Sequence, residues 1–151
     1  MSETFETLEE LLPHRDPFLF VDELLEADEK HTVGKRVFRE DDWFFKGHFP
    51  NYPVVPGVLL VETMAQCGGA GLCQVGILPH GAFFVLGTVD KAKFRSQVRP
   101  GDTAIIEVHN TRVSQIMLRQ SGTITVNGKK AAEATWMCIV GGGDVNINGT
   151  K

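Results

Sequence analysis

The sequence contains few of the residues that would mark an exported or metal-bound protein. Its 151 residues include three cysteines, which form no C-x-x-C pair and have no histidine at zinc-site spacing. This pattern argues against a disulfide framework or a structural metal and is typical of a reducing compartment. No apolar run approaches the roughly 18 to 20 residues that span a bilayer, and the acidic N-terminus has no signal-peptide pattern. We therefore expect a cytoplasmic protein without membrane insertion.

Positive charge is also scarce. Lysine and arginine number 15 against 19 acidic residues, which gives a formal net charge of −4, and no arginine-rich run or aromatic-basic repeat occurs. A nucleic-acid partner is therefore not expected. The hydrophobic content of 42% over this length predicts one domain with one core across residues 1–151. The glycine-rich polar tail after about residue 141 is expected to fray.

Hydrophobic patterning predicts two helices and six strands. A capping-box pattern at Thr7 and Glu10 predicts a short helix that stops at Pro13. Residues 57–76 are apolar almost all round, which predicts a helix buried on most sides. The other apolar stretches are rich in Val, Ile and Phe or alternate with period two. They predict strands at 18–24, 32–40, 83–95, 103–113, 115–126 and 131–140.

The later strands are joined by short turns. Pro-Gly-Asp at 100–102 and Asn-Gly at 127–128 leave no room for crossover helices, so we expect mainly antiparallel pairing. One long buried helix and about six strands predict an α+β fold in which a curved antiparallel sheet wraps around the helix. Gly68, Gly69 and Gly71 interrupt that helix, and we expect another backbone or an acyl chain to approach there.

One histidine lies in a segment stiffened by three prolines, GHFPNYPVVPG at residues 47–57. The prolines fix the backbone around His48, and neighbouring phenylalanines, Phe49 among them, supply apolar walls that exclude water. A neutral imidazole in such a place is a suitable general base. The alternative is a turn histidine whose ring caps a backbone group.

The long predicted helix contains a single charged residue between Val58 and Val75, namely Glu62. A carboxyl group buried beside apolar groups retains its proton and can donate it to a leaving oxygen. The alternative is a carboxylate that reaches solvent or pairs with a basic residue. Gln66 lies one helical turn further on the same face and can orient either Glu62 or a substrate oxygen.

The start of the same helix offers a third element. Gly57 follows Pro56 where free backbone N–H groups converge, so a carbonyl oxygen placed there would be polarised. We expect Val58 and Phe49 to line the same substrate site. We call the N–H groups at Gly57 the carbonyl clamp. A base, an acid and a carbonyl clamp together indicate a proton transfer next to a carbonyl group. No cysteine or serine is marked as a nucleophile, and no third ligand around His48 suggests a metal site.

Three stretches occur in the order seen in one known family: LPHRDPFLFVD, FFKGHFPNYPVVPGVLLVETMAQCGG and DKAKFRSQVRPGD. Together they resemble the beta-hydroxyacyl-acyl-carrier-protein dehydratases of bacterial type II fatty acid synthesis, the FabZ type, over roughly residues 10–140. Glutamate at 62 favours this type, since the related dehydratase-isomerases of the FabA type carry aspartate there. The resemblance implies the hotdog fold, which is the wrapped-helix arrangement described above.

The resemblance also implies an activity and an assembly. His48 and Glu62 would be the catalytic pair that dehydrates a (3R)-hydroxyacyl thioester to the trans-2-enoyl product, with Gly57 and Gln66 at the family's substrate-site positions. No metal or other cofactor is implied, because phosphopantetheine arrives on the substrate's acyl carrier protein. Each site would take its histidine from one subunit of a homodimer and its acid from the other, and the dimers would form a trimer.

Two other functions remain open at this stage. A hotdog thioesterase would hydrolyse the thioester with an acid and a water, and a non-catalytic acyl-binding module would keep the acyl tunnel without turnover. An acidic carrier protein would need a local basic patch on this acidic chain. We expect it at Lys91, Lys93, Arg95 and Arg99, whose odd spacing puts them on one side of a strand. The alternative is a solvated strand face without a partner.

Overall fold

The computed structural model describes residues 4–141 of the chain, and the predicted frayed tail lies outside the described residues. Its elements, in chain order, are α1 (Leu8–Leu11), β1 (Glu23–Ala27), β2 (His31–Val37), a 3-10 helix (Trp43–Lys46), α2 (Gly57–Gln74), β3 (Phe83–Phe94), β4 (Thr103–Val113), β5 (Met117–Val126) and β6 (Lys129–Gly141). Within these residues, no helix has both the length and the apolar character needed to cross a membrane.

The six strands form one antiparallel sheet in the order β1-β2-β4-β5-β6-β3. Helix α2 contacts all six strands, and 13 of its 18 residues are buried. The predicted α+β architecture, a sheet around one long buried helix, is therefore confirmed. Among residues 4–141, strand β3 lies at an edge of the sheet and pairs only with β6, which leaves its other side open.

Local signals place most of the elements. The capping box at Thr7 and Glu10 forms as predicted and begins α1. Asn127 and Gly128 both have positive φ angles, 53° and 78°, which is the conformation that a two-residue Asn-Gly hairpin turn requires. The predicted strands from residue 83 onward are all present, with ends that differ by one to two residues.

The strand predicted at 18–24 is wrong, because β1 begins at Glu23. The Asp22 N–H directly before β1 still donates to the Lys35 carbonyl of β2 at 2.8 Å, but the backbone of Phe18 and Phe20 is bonded to a helix side chain. The amide oxygen of Gln66 accepts a hydrogen bond from the Phe20 N–H at 2.8 Å, and the amide nitrogen donates to the Phe18 carbonyl at 3.1 Å. The apolar residues of this stretch are thus held against α2, outside the sheet. The second strand also stops earlier than predicted, at Val37.

The glycines within α2 receive side chains, so the expectation of a backbone or acyl chain there is wrong. A Cβ atom built on Gly69 would lie 1.9 Å from the Phe84 ring, and one on Gly71 would lie 1.9 Å from the Thr32 hydroxyl oxygen. A Cβ on Gly68 would lie 2.6 Å from the Gln120 amide. Three strands therefore each insert a side chain into a notch on the helix.

Candidate active site

The segment that carries His48 is held by bonds at both ends. The Val54 N–H donates to the His48 carbonyl at 2.9 Å, and the Val55 N–H donates to the Val98 carbonyl at 2.8 Å. Phe44 and Phe45 are buried beneath it, and the His48 N–H donates to the Phe44 carbonyl at 3.0 Å. The predicted rigidity of the segment therefore has visible causes in addition to its prolines.

The imidazole of His48 makes one ring contact that fixes its tautomer. Its Nδ1 lies 3.1 Å from the Val54 carbonyl oxygen. A carbonyl oxygen can only accept, so Nδ1 carries the proton and Nε2 of the neutral ring has a free lone pair. The backbone contact named in the alternative interpretation is thus present, but it uses one nitrogen only. The other nitrogen can still take a proton from a substrate.

His48 and the start of α2 line one cavity of about 380 Å³. Gly57 and Phe94 face each other in it, and a Cβ on Gly57 would lie 3.1 Å from the Phe94 ring. Gly57 is the first residue of α2, so its N–H has no partner within the helix. Two other residues were predicted for the substrate site. The Phe49 ring stacks on the His48 ring at 4.3 Å between centroids, and Val58 is 75% exposed. His48 and Gly57, the residues predicted as base and carbonyl clamp, therefore line the same cavity.

Glu62 lines a second cavity, of about 210 Å³, together with Phe84, Val85 and Leu86. Only 20% of its side chain is exposed. Burial raises the pKa of this carboxyl, and the hydrogen bond from the Gln66 amide, 2.9 Å from Oε2, opposes the shift only in part. A carboxyl in this environment retains its proton to higher pH, which is the property required of a general acid.

Gln66 is fully buried and its amide is used completely by the protein. Besides the Phe18 and Phe20 backbone, it bonds the Glu62 carboxyl. Of the two roles predicted for Gln66, the geometry therefore favours the orientation of Glu62 over direct contact with substrate.

His14 also lines the Glu62 cavity, and it was not predicted from the sequence as a site residue. Its Nε2 lies 3.6 Å from Oε2 of Glu62, and its Nδ1 is buried without a hydrogen-bond partner. Burial lowers the pKa of His14, as does Arg15, which favours the neutral ring over an ion pair with Glu62. His14 stands in the LPHRDPFLFVD stretch, but 48 residues separate it from Glu62, and no local pattern marks the contact.

Cys138 lies in the same cavity and is not a nucleophile. Burial, assisted by the charge of Glu62, raises the pKa of its thiol to about 12. Burial also raises the pKa of Cys73 to about 11 and that of Cys67 further still. The thiols therefore remain protonated, in keeping with the prediction that no cysteine acts as nucleophile.

The two predicted catalytic residues do not share a cavity within one protomer. The His48 cavity contains Phe94 at one end of β3, and the Glu62 cavity contains Val85 and Leu86 at the other end. Val85 and Phe94 pair with Ile139 and Ala132 of β6, which are seven residues apart, so the two ends of β3 lie roughly 23 Å apart. A single copy of the chain thus presents two half-sites along one open edge of its sheet.

The predicted basic patch divides in two. Lys91, Lys93 and Arg95 line one depression on the sheet surface, whereas Arg99 lies beyond the end of β3 with its guanidinium 4.3 Å from the centre of the Tyr52 ring. Arg95 is bonded to Glu133. Arg95 and Arg99 both lie beyond Phe94, where β3 ends, so the odd-spacing argument applies to neither; Arg95 still lines the depression, and Arg99 does not.

Comparison with known proteins identifies relatives over most of the chain. The model of the FabA-like domain matches residues 12–135. The 3-hydroxyacyl-[acyl-carrier-protein] dehydratase FabZ of Erwinia tasmaniensis is 42% identical over 135 residues, which cover 88% of this chain and 89% of that protein. The FabZ of Enterococcus faecalis is 40% identical over 142 residues, covering 93% and 100%. The resemblance noted from the sequence motifs is confirmed.

Solved structures agree on the fold. The dehydratase heterocomplex ApeI:P from Xenorhabdus doucetiae matches with a TM-score of 0.80 at 14% identity, over 93% of this chain and 94% of that one. The PaaI protein of E. coli matches with a TM-score of 0.59 at 16% identity, over 78% and 81%. The sheet and its central helix are the hotdog fold, and the sequence matches lead to one conclusion: the chain belongs to the FabA-like family, among the dehydratases of the FabZ type.

Proposed function

We infer that the protein is a 3-hydroxyacyl-[acyl-carrier-protein] dehydratase, a hydro-lyase of fatty acid biosynthesis. Relatives of that name are about 41% identical to it over about 90% of the chain. The structural observation that carries the proposal is the His48 ring, whose Nδ1 is committed to the Val54 carbonyl and whose Nε2 is free to accept a proton.

The proposed reaction uses each group in one role. The N–H of Gly57 donates to the thioester carbonyl oxygen and stabilises the negative charge that develops there. His48 Nε2 removes the α proton of the (3R)-hydroxyacyl substrate, and the electron pair forms the α,β double bond. The β C–O bond breaks as Glu62 protonates the departing hydroxyl, so that water and the trans-2-enoyl thioester leave. The proton on His48 then returns to Glu62 or to solvent.

The two half-sites meet if two copies pair along β3. Every residue from Val85 to Phe94 is exposed in one copy, including the apolar side chains of Leu86 and Val89. An open, apolar edge strand favours pairing with a second chain. In an antiparallel pair, Val85 of one copy lies near Phe94 of the other, which brings the Glu62 cavity of the first beside the His48 cavity of the second. The proposed catalytic unit is therefore a homodimer with two shared sites.

The activity is tested by hydration of crotonyl thioester, the reverse reaction, followed by loss of the enoyl absorbance. We expect turnover by the purified protein without added metal, and a loss of about 100- to 10,000-fold in the His48→Ala and Glu62→Gln variants. A thioesterase would instead release free thiol, and an acyl-binding module would show neither signal. Absence of hydration while a control dehydratase is active would refute the proposal.

The acyl carrier protein is the proposed partner, and its docking surface is proposed at Lys91 and Lys93. Both line one exposed depression, and in this acidic chain they supply the positive charge that an acidic partner requires. Reversal of Lys91 and Lys93 to glutamate should weaken use of a carrier-linked substrate far more than use of a small thioester. Arg95 is left unchanged because it is bonded to Glu133.

Lys30→Glu, in the β1–β2 turn at the opposite edge of the sheet, is the matched control for this test. Equal losses on both substrates, or an equal effect of the control, would contradict the docking surface. The trimer of dimers and the cytoplasmic location remain parts of the proposal. Sedimentation of the purified protein tests the first, and fractionation of the source cells tests the second.

A further inference from the structure

The outer face of the sheet carries a cluster that the dehydration does not use. His31 on β2 and His109 on β4 are directly opposed in the antiparallel register, and their ring centres lie 4.8 Å apart. Glu107 precedes His109 by two residues and so points to the same face, and its Oε2 lies 2.7 Å from Nε2 of His31. The donor atoms of the three side chains all lie within 4.8 Å of one another.

The cluster lies outside the two cavities of the proposed active site, on the depression that Lys91 and Lys93 also line. Along β4, Glu107 and His109 are exposed while Ile106 and Val108 between and beside them are fully buried, so the cluster points away from the core and α2. Neither His48 nor Glu62 lines a cavity with any member of the cluster. The cluster is therefore structurally separate from the acid-base pair.

A second carboxylate faces the outer nitrogen of His31. Oε1 of Glu26 on β1 lies 3.9 Å from Nδ1, while Nε2 faces Glu107. Histidine ligands of metals usually direct the ring nitrogen that does not bind the metal to a carboxylate, which fixes the tautomer and raises the basicity of the ligating nitrogen. His31 thus has the surroundings of a metal ligand on both of its nitrogens.

We propose that His31, Glu107 and His109 bind a divalent transition-metal ion such as Zn²⁺, with Glu26 as the outer carboxylate of His31. Two imidazoles and one carboxylate suit zinc, nickel, cobalt and copper and do not suit magnesium or calcium, which prefer oxygen ligands. Donor atoms on a tetrahedral zinc ion lie roughly 3.4 Å apart, because each bond is about 2.0 to 2.1 Å long. The widest donor separation has to shorten by roughly 1.4 Å to reach that geometry, through side-chain movements of the half-buried His31 and the exposed Glu107 and His109, and the remaining position is open to water.

Positive charges near the cluster weaken its general attraction for cations. Glu107 and His109 border the depression that Lys91, Lys93 and Arg95 also line, and Glu133 pairs with Arg95 and with Lys130. General electrostatic attraction for cations is therefore weak at this face, and affinity has to come from coordination to imidazole nitrogen. This predicts selectivity for transition metals over Mg²⁺ at equal concentration.

The experiment titrates the purified full-length protein with ZnCl2 by calorimetry and with CoCl2 by visible absorption. We expect one ion per chain. His109→Asn should weaken zinc binding by at least about 100-fold, because loss of an outer carboxylate alone, tested with Glu26→Gln, costs about 10- to 100-fold. Circular dichroism without metal checks that both variants fold.

His80→Asn is the matched control, since His80 is a surface histidine that pairs with the single carboxylate of Glu6. It should leave zinc affinity unchanged, and so should Glu62→Gln. The cobalt spectrum should lack a thiolate charge-transfer band, because the three cysteines are buried. No zinc binding by the wild type, unchanged affinity in His109→Asn, loss of affinity in either control, or a thiolate band would each overturn the proposal.

Discussion

A dimer that shares its sites makes a quantitative prediction for mixed mutants. One chain carrying His48→Ala keeps Glu62, and a second chain carrying Glu62→Gln keeps His48. In their heterodimer one site combines both intact residues and the other combines both substitutions. Each heterodimer therefore has one working site of two, about half of the wild-type activity per dimer.

The magnitude follows from the position of the two half-sites. They lie at opposite ends of β3, roughly 23 Å apart along the sheet, so on this model neither mutant chain builds a site by itself. Random co-assembly gives about half heterodimers, and the mixture should show about a quarter of wild-type activity. Two different affinity tags allow isolation of the heterodimer, for which the expected value rises to about a half.

The assay is hydration of crotonyl thioester by the two-tag preparation, with each mutant homodimer as the baseline. Mass spectrometry establishes that both chains are present in equal amounts. If the verified heterodimer is as inactive as the homodimers, the acid and the base of each site come from one chain, and the pairing along β3 is the wrong model. Activity well above a half would also contradict it.

Three further outcomes follow from the described geometry. Glu62→Gln should raise the thermal midpoint relative to wild type at about pH 8 but not at about pH 4. Burial raises the pKa of Glu62 in the native state, so the stability of the wild type falls as the pH rises from the pKa of the unfolded chain through that of the native state. Equal shifts of the midpoint at both pH values would contradict this. Gly69→Ala should lower the free energy of unfolding by about 1 to 3 kcal/mol in urea titration, because its Cβ would lie 1.9 Å from the Phe84 ring, whereas Gly47→Ala, with no atom within 4 Å of the added Cβ, should be nearly neutral. Val89→Lys in the middle of the open edge should shift sedimentation toward the monomer and lower activity in parallel, and a fully active monomer would refute the need for the dimer.

Elements with local signals could be read from the sequence. The Asn-Gly turn, the capping box of α1 and the uniformly apolar α2 each depend on residues a few positions apart, and all three were predicted. The strand at 18–24 failed because its backbone partner is Gln66, a side chain more than 40 residues away. Apolar composition predicts burial there but does not say which element covers it.

The site shows the same division. His48, Gly57 and Glu62 stand in or beside short segments whose proline, glycine and charge patterns are visible in the sequence. His14 reaches Glu62 only through the tertiary fold, and Arg99 leaves the basic patch because β3 ends at Phe94, which depends on pairing with β6. Spacing predicts which residues share a face of one element, and it does not predict contacts between elements.

The side chains that fill the notches on α2 fix the position of the helix against the sheet. Side chains from β2, β3 and β5 enter at three successive glycine positions, so the helix cannot slide along its axis or turn about it without expelling at least one of them. The shape of the Glu62 cavity consequently cannot be changed by moving the helix. A change in that cavity has to come from exchanging the side chains of its wall, among which are Leu86 and Ala65.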